Sequence, residues 1–587
     1  MQKKQRTKLH RADICVVGGG LAGMCAAISA ARHGSHVILV HDRPVLGGNC
    51  SSEIRMWPLG AHGSNRRETG IFEELILNNM YRNPTRNYPI WDSVLFEAVR
   101  YQKNLETLLN CTVHDIQMND SSTIKSVCGW QLTSYTRHII EADIFIDCSG
   151  DSILAELSGA VYRHGRESRE EFGEAAAPEK ADHCTMGNSC LIQARETSLP
   201  ISFIPPLWAR QIPDDDSLKN RVHELDQYRH NNFWWLELGG TENTIDDSEK
   251  IRDELLALAY GTWDHIKNHG DHRAENWELD FLSYLPGKRE SRRCIGDHIL
   301  TQKEVEAGGK FDDIIAYGGW SIDDHPPKGF DHDGKPTTYY YCPSPFGIPY
   351  RCLYSKNINN LMFAGRNISV THASMAASRV MATCAILGQA VGTAAHTAIV
   401  HNTDPRGVNQ YITEVQQYLM EDDCWLPEHT RKISPTCTAA ELTADCENAE
   451  NLRNGHDRPT DLEGDNGCFI PLGGRAAYTL SEPTYIESVR IVFDSDLNRT
   501  TVTGGIEAVK DCPTICNRPL HMPPFNFPTT MTKEFEIIVD GTVVFSTQSN
   551  HQRLVNIPIN RTAQKLELRP ISTFGAEKSH IFSFDFK

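Results

Sequence analysis

Residues 12–41, ADICVVGGGLAGMCAAISAARHGSHVILVH, constrain the fold more than any other stretch. Ile14 to Val17 read as a short buried strand. Gly18, Gly20 and Gly23 follow in a G-x-G-x-x-G pattern, and a helix of small residues runs from about Ala22 to Arg32. His33-Gly34 stops it, and Val37 to Val40 make the next parallel strand. Such glycines say little alone. Between a strand and a helix they complete a dinucleotide-binding βαβ unit of about 30 residues. Gly18 permits the tight turn, Gly20 lets backbone approach a pyrophosphate, and Gly23 lets helix and strand touch. The helix start at Leu21 and Ala22 offers free N–H groups and the positive end of the helix dipole. An acidic residue at the end of the second strand would hold the adenosine ribose. Here the strand ends His41-Asp42-Arg43. Asp42 is taken for the ribose, with an Asp42–Arg43 pair as the alternative.

Later segments separate FAD from NAD. Gly47-Gly48-Asn49 allows a second close approach of backbone to cofactor. Far downstream, NNLMFAGR (359–366) reads as a short buried strand ending in Gly365-Arg366, and NISVTHASMAASR (367–379) as a polar loop. Val380 to Ile399 read as a continuous small-residue helix. Amides at its start, at Val380 and Met381, would stabilise negative charge on a reduced flavin. A purely structural helix leaves the Gly388 and Gly392 spacing unexplained. A nicotinamide dehydrogenase does not need this distant element, whereas an extended FAD site does. Between these regions, 91–110 read as an amphipathic helix, 112–116 as a strand, and ADIFID (142–147) as a buried strand followed by Gly150-Asp151.

Together these segments resemble the two-dinucleotide-domain flavoproteins of glutathione-reductase type, and most of all the branch described simply as FAD-dependent oxidoreductases. The resemblance rests on the glycine loop, RPVLGGNCSSEIR (43–55), DCSGDSILAELSGAVY (147–162), PGKRESRRCIGDHILT (286–301) and AGRNISVTHASMAASRVMATC (364–384). It implies FAD, held by Gly18, Gly20, Gly23, Gly48, Asn49, Gly150, Gly365 and Arg366, with Arg43 and Asp151 nearby and Val113 beside the adenine. His41 stands where many members carry Glu, which bears on the ribose contact rather than on the cofactor. The expected fold is α/β: a Rossmann-type FAD-binding domain (10–165 and 346–402) with an interleaved α+β substrate domain (166–345). A helical linker (403–428, with a helix over 404–427) leads to a C-terminal all-β sandwich (429–587). That last part alternates in short runs with a hairpin signal at Asp540-Gly541. It resembles a discoidin-type jelly roll, a frequent carbohydrate-binding scaffold, and would serve equally as lid, oligomer contact or brace.

A flavin accepts hydride at N5, so the protein must take a proton from the substrate. The candidates are His372, just before the flavin-facing helix, His325 in GGWSIDDHPPKG, and Arg55 and His62 after the Gly-Gly turn. Arg289, Arg292 and Arg293 would hold an anionic substrate, or pair internally with Glu290 and Asp297. Trp234, Trp235 and Trp263 are either sugar-stacking faces or core. Cys50 lacks a C-x4-C partner, which disfavours disulfide chemistry. With no C-x-x-C pair, and Cys512/Cys516 read as chance spacing, no metal is expected.

A net charge of −18 disfavours nucleic acid and anionic lipid as partners. No stretch reads as the roughly 20 apolar residues that span a bilayer. The basic, polar N-terminus lacks a signal peptide's apolar core, and the 18 cysteines read as reduced thiols in a cytoplasm. The expectation is a soluble FAD-dependent oxidoreductase acting on a CH–OH group of a polar small molecule such as a sugar, with a homo-oligomer left open. Two rivals stand beside it: flavin-dependent, redox-neutral glycoside cleavage or elimination, and a carbohydrate-binding protein with a non-catalytic flavin.

Overall fold

In the computed structural model, the strand before the glycine loop is β1, Arg6–Val17. It is longer than its apolar end because its polar half pairs with a second long strand. The structure describes residues 6–219, 221–225, 232–460, 464–501, 514–515 and 517–587; Asn231, Cys512 and Cys516 lie outside them. The chain continues through α1 (Leu21–Arg32), β2 (Val37–Val40), α2 (Tyr88–Arg100), β3 (Leu105–Leu108), β4 (Cys111–Asp120), β5 (Thr123–Gln131) and β6 (Thr136–Asp147). After α3 (Ser248–Asn268) come β7 (Leu361–Phe363), α4 (His372–Ser378) and α5 (Met381–Val400). Strands β3, β2, β1 and β6 run parallel, with Ile14 opposite both Val37 and Ile144. β7 joins the last residues of β6, Leu361 facing Phe145. The antiparallel hairpin of β4 and β5 occupies the other half of the same edge. Every residue of β2 and β7 is buried, as their unbroken apolar runs require.

Three local expectations change. The helix expected over 91–110 is α2. It ends at Arg100 because the chain turns at Asn104, in the left-handed region at φ +62°, to enter β3. The supposed loop 367–379 contains α4, whose start is fixed by the Thr371 side chain accepting from the Ser374 N–H. The helix expected over 404–427 spans Ile412–Glu421, after a 3-10 turn at Gly407–Tyr411.

α5 is long and apolar enough to cross a membrane by length and composition, which the sequence reading did not anticipate. Yet 83% of its apolar window is buried inside the protein, against α1. The contact explains Gly388 and Gly392 structurally. A Cβ on Gly388 would stand 2.0 Å from the Ala22 carbonyl oxygen, and one on Gly392 would stand 2.2 Å from that of Ala26. The two glycines are one turn apart on one face, so the helices touch backbone to backbone. Ser29 and Thr393 hydroxyls hydrogen-bond across the same crossing at 2.9 Å.

Two compact units divide the chain. The first comprises Met1–Ala61, Arg86–Val415 and Cys512–Pro523; the second comprises His62–Thr85, Gln416–Asp511 and Pro524–Lys587. The expected cap, 166–345, lies within the first. Segment 62–85, expected with the FAD-binding part, groups with the second, where its helix Ile71–Arg82 buries Leu77 in the C-terminal core. Among the described residues the second unit holds a seven-stranded antiparallel sheet packed around Ile486, Ile491, Phe535, Leu566 and Phe584, besides the helix Ile71–Arg82. Asp540 and Gly541, both at positive φ, make its Thr532–Val539 to Thr542–Thr547 hairpin. In the same unit Glu73 is buried between Arg67 and Arg499. Burial pushes its carboxyl up, but the two guanidiniums outweigh this and hold it at about 2.

Gly388→Val is expected to destabilise the protein by more than about 2 kcal/mol, because neither backbone can retreat from the added methyls; chemical denaturation measures it. His580 supplies a pH test. Its ring nitrogens lie 2.9 Å from Asp465 and 3.1 Å from Asp494. Burial alone would lower its pKa, yet the two carboxylates raise it to about 9. The stabilisation is therefore full below about pH 6.5 and is lost as pH rises through about 9. His580→Gln is expected to lower the unfolding midpoint at pH 6 and change it little at pH 9.5.

Candidate active site

The ends of β1, β2 and β6 open into a cavity of about 750 Å³ within the first unit. Gly18, Gly20, Leu21 and Ala22 line one wall; Asp42, Arg43, Gly48, Asn49 and Val113 another; Gly150, Asp151, Gly365, Arg366, Val380 and Met381 the remainder. Gly23 stands behind this wall, where a Cβ would collide with the Gly18 carbonyl oxygen at 1.8 Å. Gly18 itself, at φ +108°, would strike the Cys148 carbonyl. Gly20 differs: a Cβ there meets no protein atom closer than 3.8 Å. Its missing side chain leaves room in the cavity rather than room for packing. No side chain caps α1, so its first amides remain available to an anion beside Gly20. At α5 one early amide is already used, Ala382 N–H donating to the Leu59 carbonyl at 3.0 Å. A glycine-lined, uncapped helix start followed by a long cleft suits a pyrophosphate with two bulky ends, as in FAD.

His41 has a structural use. The Gly19 N–H donates to its Nδ1 at 3.0 Å, so the ring proton sits on Nε2, which donates to the Val45 carbonyl at 3.0 Å. The imidazole thus ties the glycine loop to the loop after β2, and the more exposed Asp42 beside it offers the carboxylate. Across the cavity, Asp151 accepts from Arg366 at 2.7 Å, Ser291 at 2.8 Å and Lys288 at 2.7 Å. Burial works against its ionisation, but Arg366 and Lys288 hold its carboxyl well below the usual range. Asn49 donates to the Lys288 carbonyl at 3.1 Å.

Two of the three candidate histidines, His372 and His325, separate completely. His372 does not line the cavity. Its Nδ1 lies 2.9 Å from Glu290 and its Nε2 3.1 Å from Asp324. Burial alone would lower its pKa, but those carboxylates raise it to about 10. Both ring nitrogens donate and neither has a lone pair to take a proton, which removes it as a base. His325 lines the cavity and is 3% exposed. Its Nδ1 stands 2.6 Å from Glu237 and its Nε2 3.5 Å from Asp323. The strand Ile322–Asp324 explains the division: successive side chains point to opposite faces, so Asp323 reaches the cavity and Asp324 reaches His372.

Arg55 is also displaced from the cavity lining. It adopts φ +67° and stacks on Tyr88 and Phe281, 4.7 and 3.9 Å from their ring centroids, while donating to Gln193 at 2.8 Å. His62 is exposed and groups with the second unit. Burial pushes the Cys50 thiol up to about 12, and it donates to the Gly47 carbonyl. Arg293 is fully buried between Glu167 and Glu290, and Asp297 pairs with Arg406. Arg289 and Arg292 do line the cavity; Arg289 donates to Ser189 at 2.7 Å and lies 3.2 Å from Glu237. Trp235 and Trp263 belong to the core, whereas Trp234 faces the cavity. The residue types alone did not single out Glu237, Asp323, Arg379, Trp320 or Tyr339. All but Glu237 line the cavity, and their one sequence cue was proximity to His325 or to α5.

Gly20→Glu is expected to give folded but colourless protein, measured as flavin released on denaturation; a fully loaded variant would overturn the loop's role. The chain is 46% identical over 75 residues to a soluble pyridine nucleotide transhydrogenase of Chromohalobacter salexigens, and 43% identical over 42 residues to one of Marinobacter nauticus. These matches cover 13% and 7% of this chain, and 15% and 9% of the relatives' lengths. Among solved structures it is similar to a geranylgeranyl bacteriochlorophyll reductase-like protein of Thermoplasma acidophilum (10% identity, 71% of this chain and 86% of that one, TM-score 0.30). It is also similar to a family 32 carbohydrate-binding module of Streptococcus pneumoniae (14% identity, 25% and 97%, TM-score 0.19). A family model described as FAD dependent oxidoreductase matches residues 13–419, more than half of the chain. The chain therefore belongs to that family, and FAD is its cofactor.

Proposed function

We propose that this enzyme oxidises a CH–OH group of a polar small molecule, a carbohydrate, with the hydride passing to flavin N5 and the hydroxyl proton to His325. Bound FAD supplies the hydride acceptor. The observation that carries the reading is His325, in the same cavity as the glycine loop and paired with Glu237 behind it at 2.6 Å. An ionised carboxylate 2.6 Å from Nδ1 places the ring proton there and leaves Nε2, with Asp323 farther off at 3.5 Å, as the base; both carboxylates stabilise the imidazolium that forms. Burial pushes the Glu237 carboxyl up, but Arg289 and His325 pull it below its ordinary value, so it stays ionised. Arg379, which directly precedes Val380 and Met381, donates to the Asp323 carbonyl at 3.0 Å, tying the start of α5 to the His325 strand. Trp234 packs edge-on against His325 at 5.4 Å, and with Trp320 and Tyr339 gives the cavity aromatic faces suited to sugar C–H groups.

The same reading keeps the glutathione-reductase-type assignment of the first unit and takes the C-terminal sheet as a discoidin-like sandwich. Two long bulged strands, Ala476–Phe493 and Leu554–Thr573, support the latter. It also includes a cytoplasmic setting and, given the net charge of −18, no nucleic-acid or membrane partner.

Anaerobic mixing with a panel of sugars and hydroxy acids, followed by flavin absorbance, tests the proposal. One class is expected to bleach the flavin, and His325→Gln to slow that reduction by roughly 10²-fold while FAD stays bound. An unchanged rate would remove His325 as the base. Turnover without an electron acceptor, giving no product at a new oxidation level, would instead assign redox-neutral cleavage.

A further inference from the structure

Outside the cavity, four ligand-type side chains from separate segments converge. Asp215 lies on the turn Asp215–Leu218, held by Asp214, which accepts from the Ser217 N–H. His223 comes from the following segment, His265 from the buried face of α3, and His272 from the turn after it. That turn reverses at Gly270, φ +84°, where a Cβ would stand 2.9 Å from His272 Nε2. One ligand atom from each of the four residues falls within 4.8 Å of all the others. Asp215 Oδ1 is 2.9 Å from His265 Nε2, 3.5 Å from His272 Nε2 and 3.8 Å from His223 Nε2.

Proton positions make the cluster informative. His265 Nδ1 lies 3.0 Å from the Ile212 carbonyl and His223 Nδ1 2.8 Å from the Arg221 carbonyl. A carbonyl oxygen only accepts, so both Nδ1 atoms carry protons and the neutral rings aim Nε2 lone pairs at the centre. Lone pairs facing a carboxylate repel. Without a cation, His265 would need protons on both nitrogens to hydrogen-bond the Ile212 carbonyl and Asp215 at once, while the His223 Nε2 faces Asp215 at 3.8 Å with no hydrogen bond to it. His272 Nε2 is buried and has no hydrogen-bond partner among the described residues. A bound cation resolves all of these conflicts together.

We propose that Asp215, His223, His265 and His272 bind one divalent metal ion of the zinc class. Three imidazole nitrogens and one carboxylate oxygen suit Zn²⁺ and are too nitrogen-rich for Ca²⁺ or Mg²⁺. Ligand atoms of a tetrahedral zinc with bonds of about 2.1 Å lie about 3.4 Å apart, close to the three spacings from Asp215, and the whole set lies within 4.8 Å. Four protein ligands make a closed, structural site. Asp215, 70% exposed, leaves a way in for the ion. The metal would bind the end of α3 to the 215–223 segment. There the Val222 carbonyl accepts from Trp235 at 2.8 Å, next to Trp234 of the cavity wall.

Full-length, FAD-loaded protein is stripped with chelator, titrated with Zn²⁺ alone, and analysed for bound metal and thermal midpoint. About one tightly bound zinc per chain is expected, with a rise in midpoint. Asp215→Asn and His272→Gln are each expected to weaken binding more than about tenfold and to abolish the rise, since even changes to groups that only support a metal's ligands cost 10–100-fold. Asp215 is exposed, so its variant tests the site even if the His272 variant folds poorly. Equal zinc binding by wild type and Asp215→Asn, or none by wild type, would overturn the proposal.

Discussion

Helices α1 and α5 touch backbone to backbone, because Gly388 and Gly392 put no side chain between them and the Ala22 and Ala26 carbonyls. The contact fixes how two helices, far apart in sequence, present their N-termini. Leu21 and Ala22 begin one, Val380 and Met381 begin the other, and all four residues line one cavity. Helix starts carry unsatisfied amides and a positive dipole end. Two such ends held in a rigid, close-packed crossing form a preorganised cradle for an anionic, electron-accepting cofactor. A pair of larger residues at 388 and 392 would separate the helices and with them the two halves of the cradle.

Around this crossing, buried charge is arranged so that each ion has its partner. Asp151 is neutralised by Arg366 and Lys288. His372 is held as a cation by Glu290 and Asp324. Glu237 is shared between Arg289 and His325. The partner sets decide chemistry. A histidine hydrogen-bonded to a carboxylate through each nitrogen, as His372 is, is a fixed cation that braces the start of α4. One with a single short carboxylate contact keeps a nitrogen turned toward the cavity. The second carboxylate comes within 3.1 Å of Nε2 in His372 but stands 3.5 Å away in His325, and the alternation at Asp323-Asp324 sends the two carboxylates to different rings.

Local patterns made the glycine loop legible, because strand, turn and helix there lie within thirty residues and each glycine answers to a neighbour a few positions away. The same holds for the Asp540-Gly541 hairpin and for the short apolar strands β2 and β7. Element ends were less legible where a turn depends on one residue, as at Asn104, or on a side-chain cap, as at Thr371. The roles of single polar residues were least legible. Arg55 spends its guanidinium on two aromatic rings and a glutamine from distant segments. His62 falls with the other unit. The imidazoles near Asp215 come from positions with no metal-binding spacing.

The sequence by itself determined the dinucleotide-binding βαβ unit and the alternation of a C-terminal β region, since short-range sterics and hydrophobic periodicity act within a few residues. Only the tertiary structure decided which histidine faces the cavity, why α5 carries its glycines, and which four side chains meet at Asp215. Those outcomes depend on where chain segments tens to hundreds of residues apart come within a few ångströms, and on which carboxylate claims each ring nitrogen there.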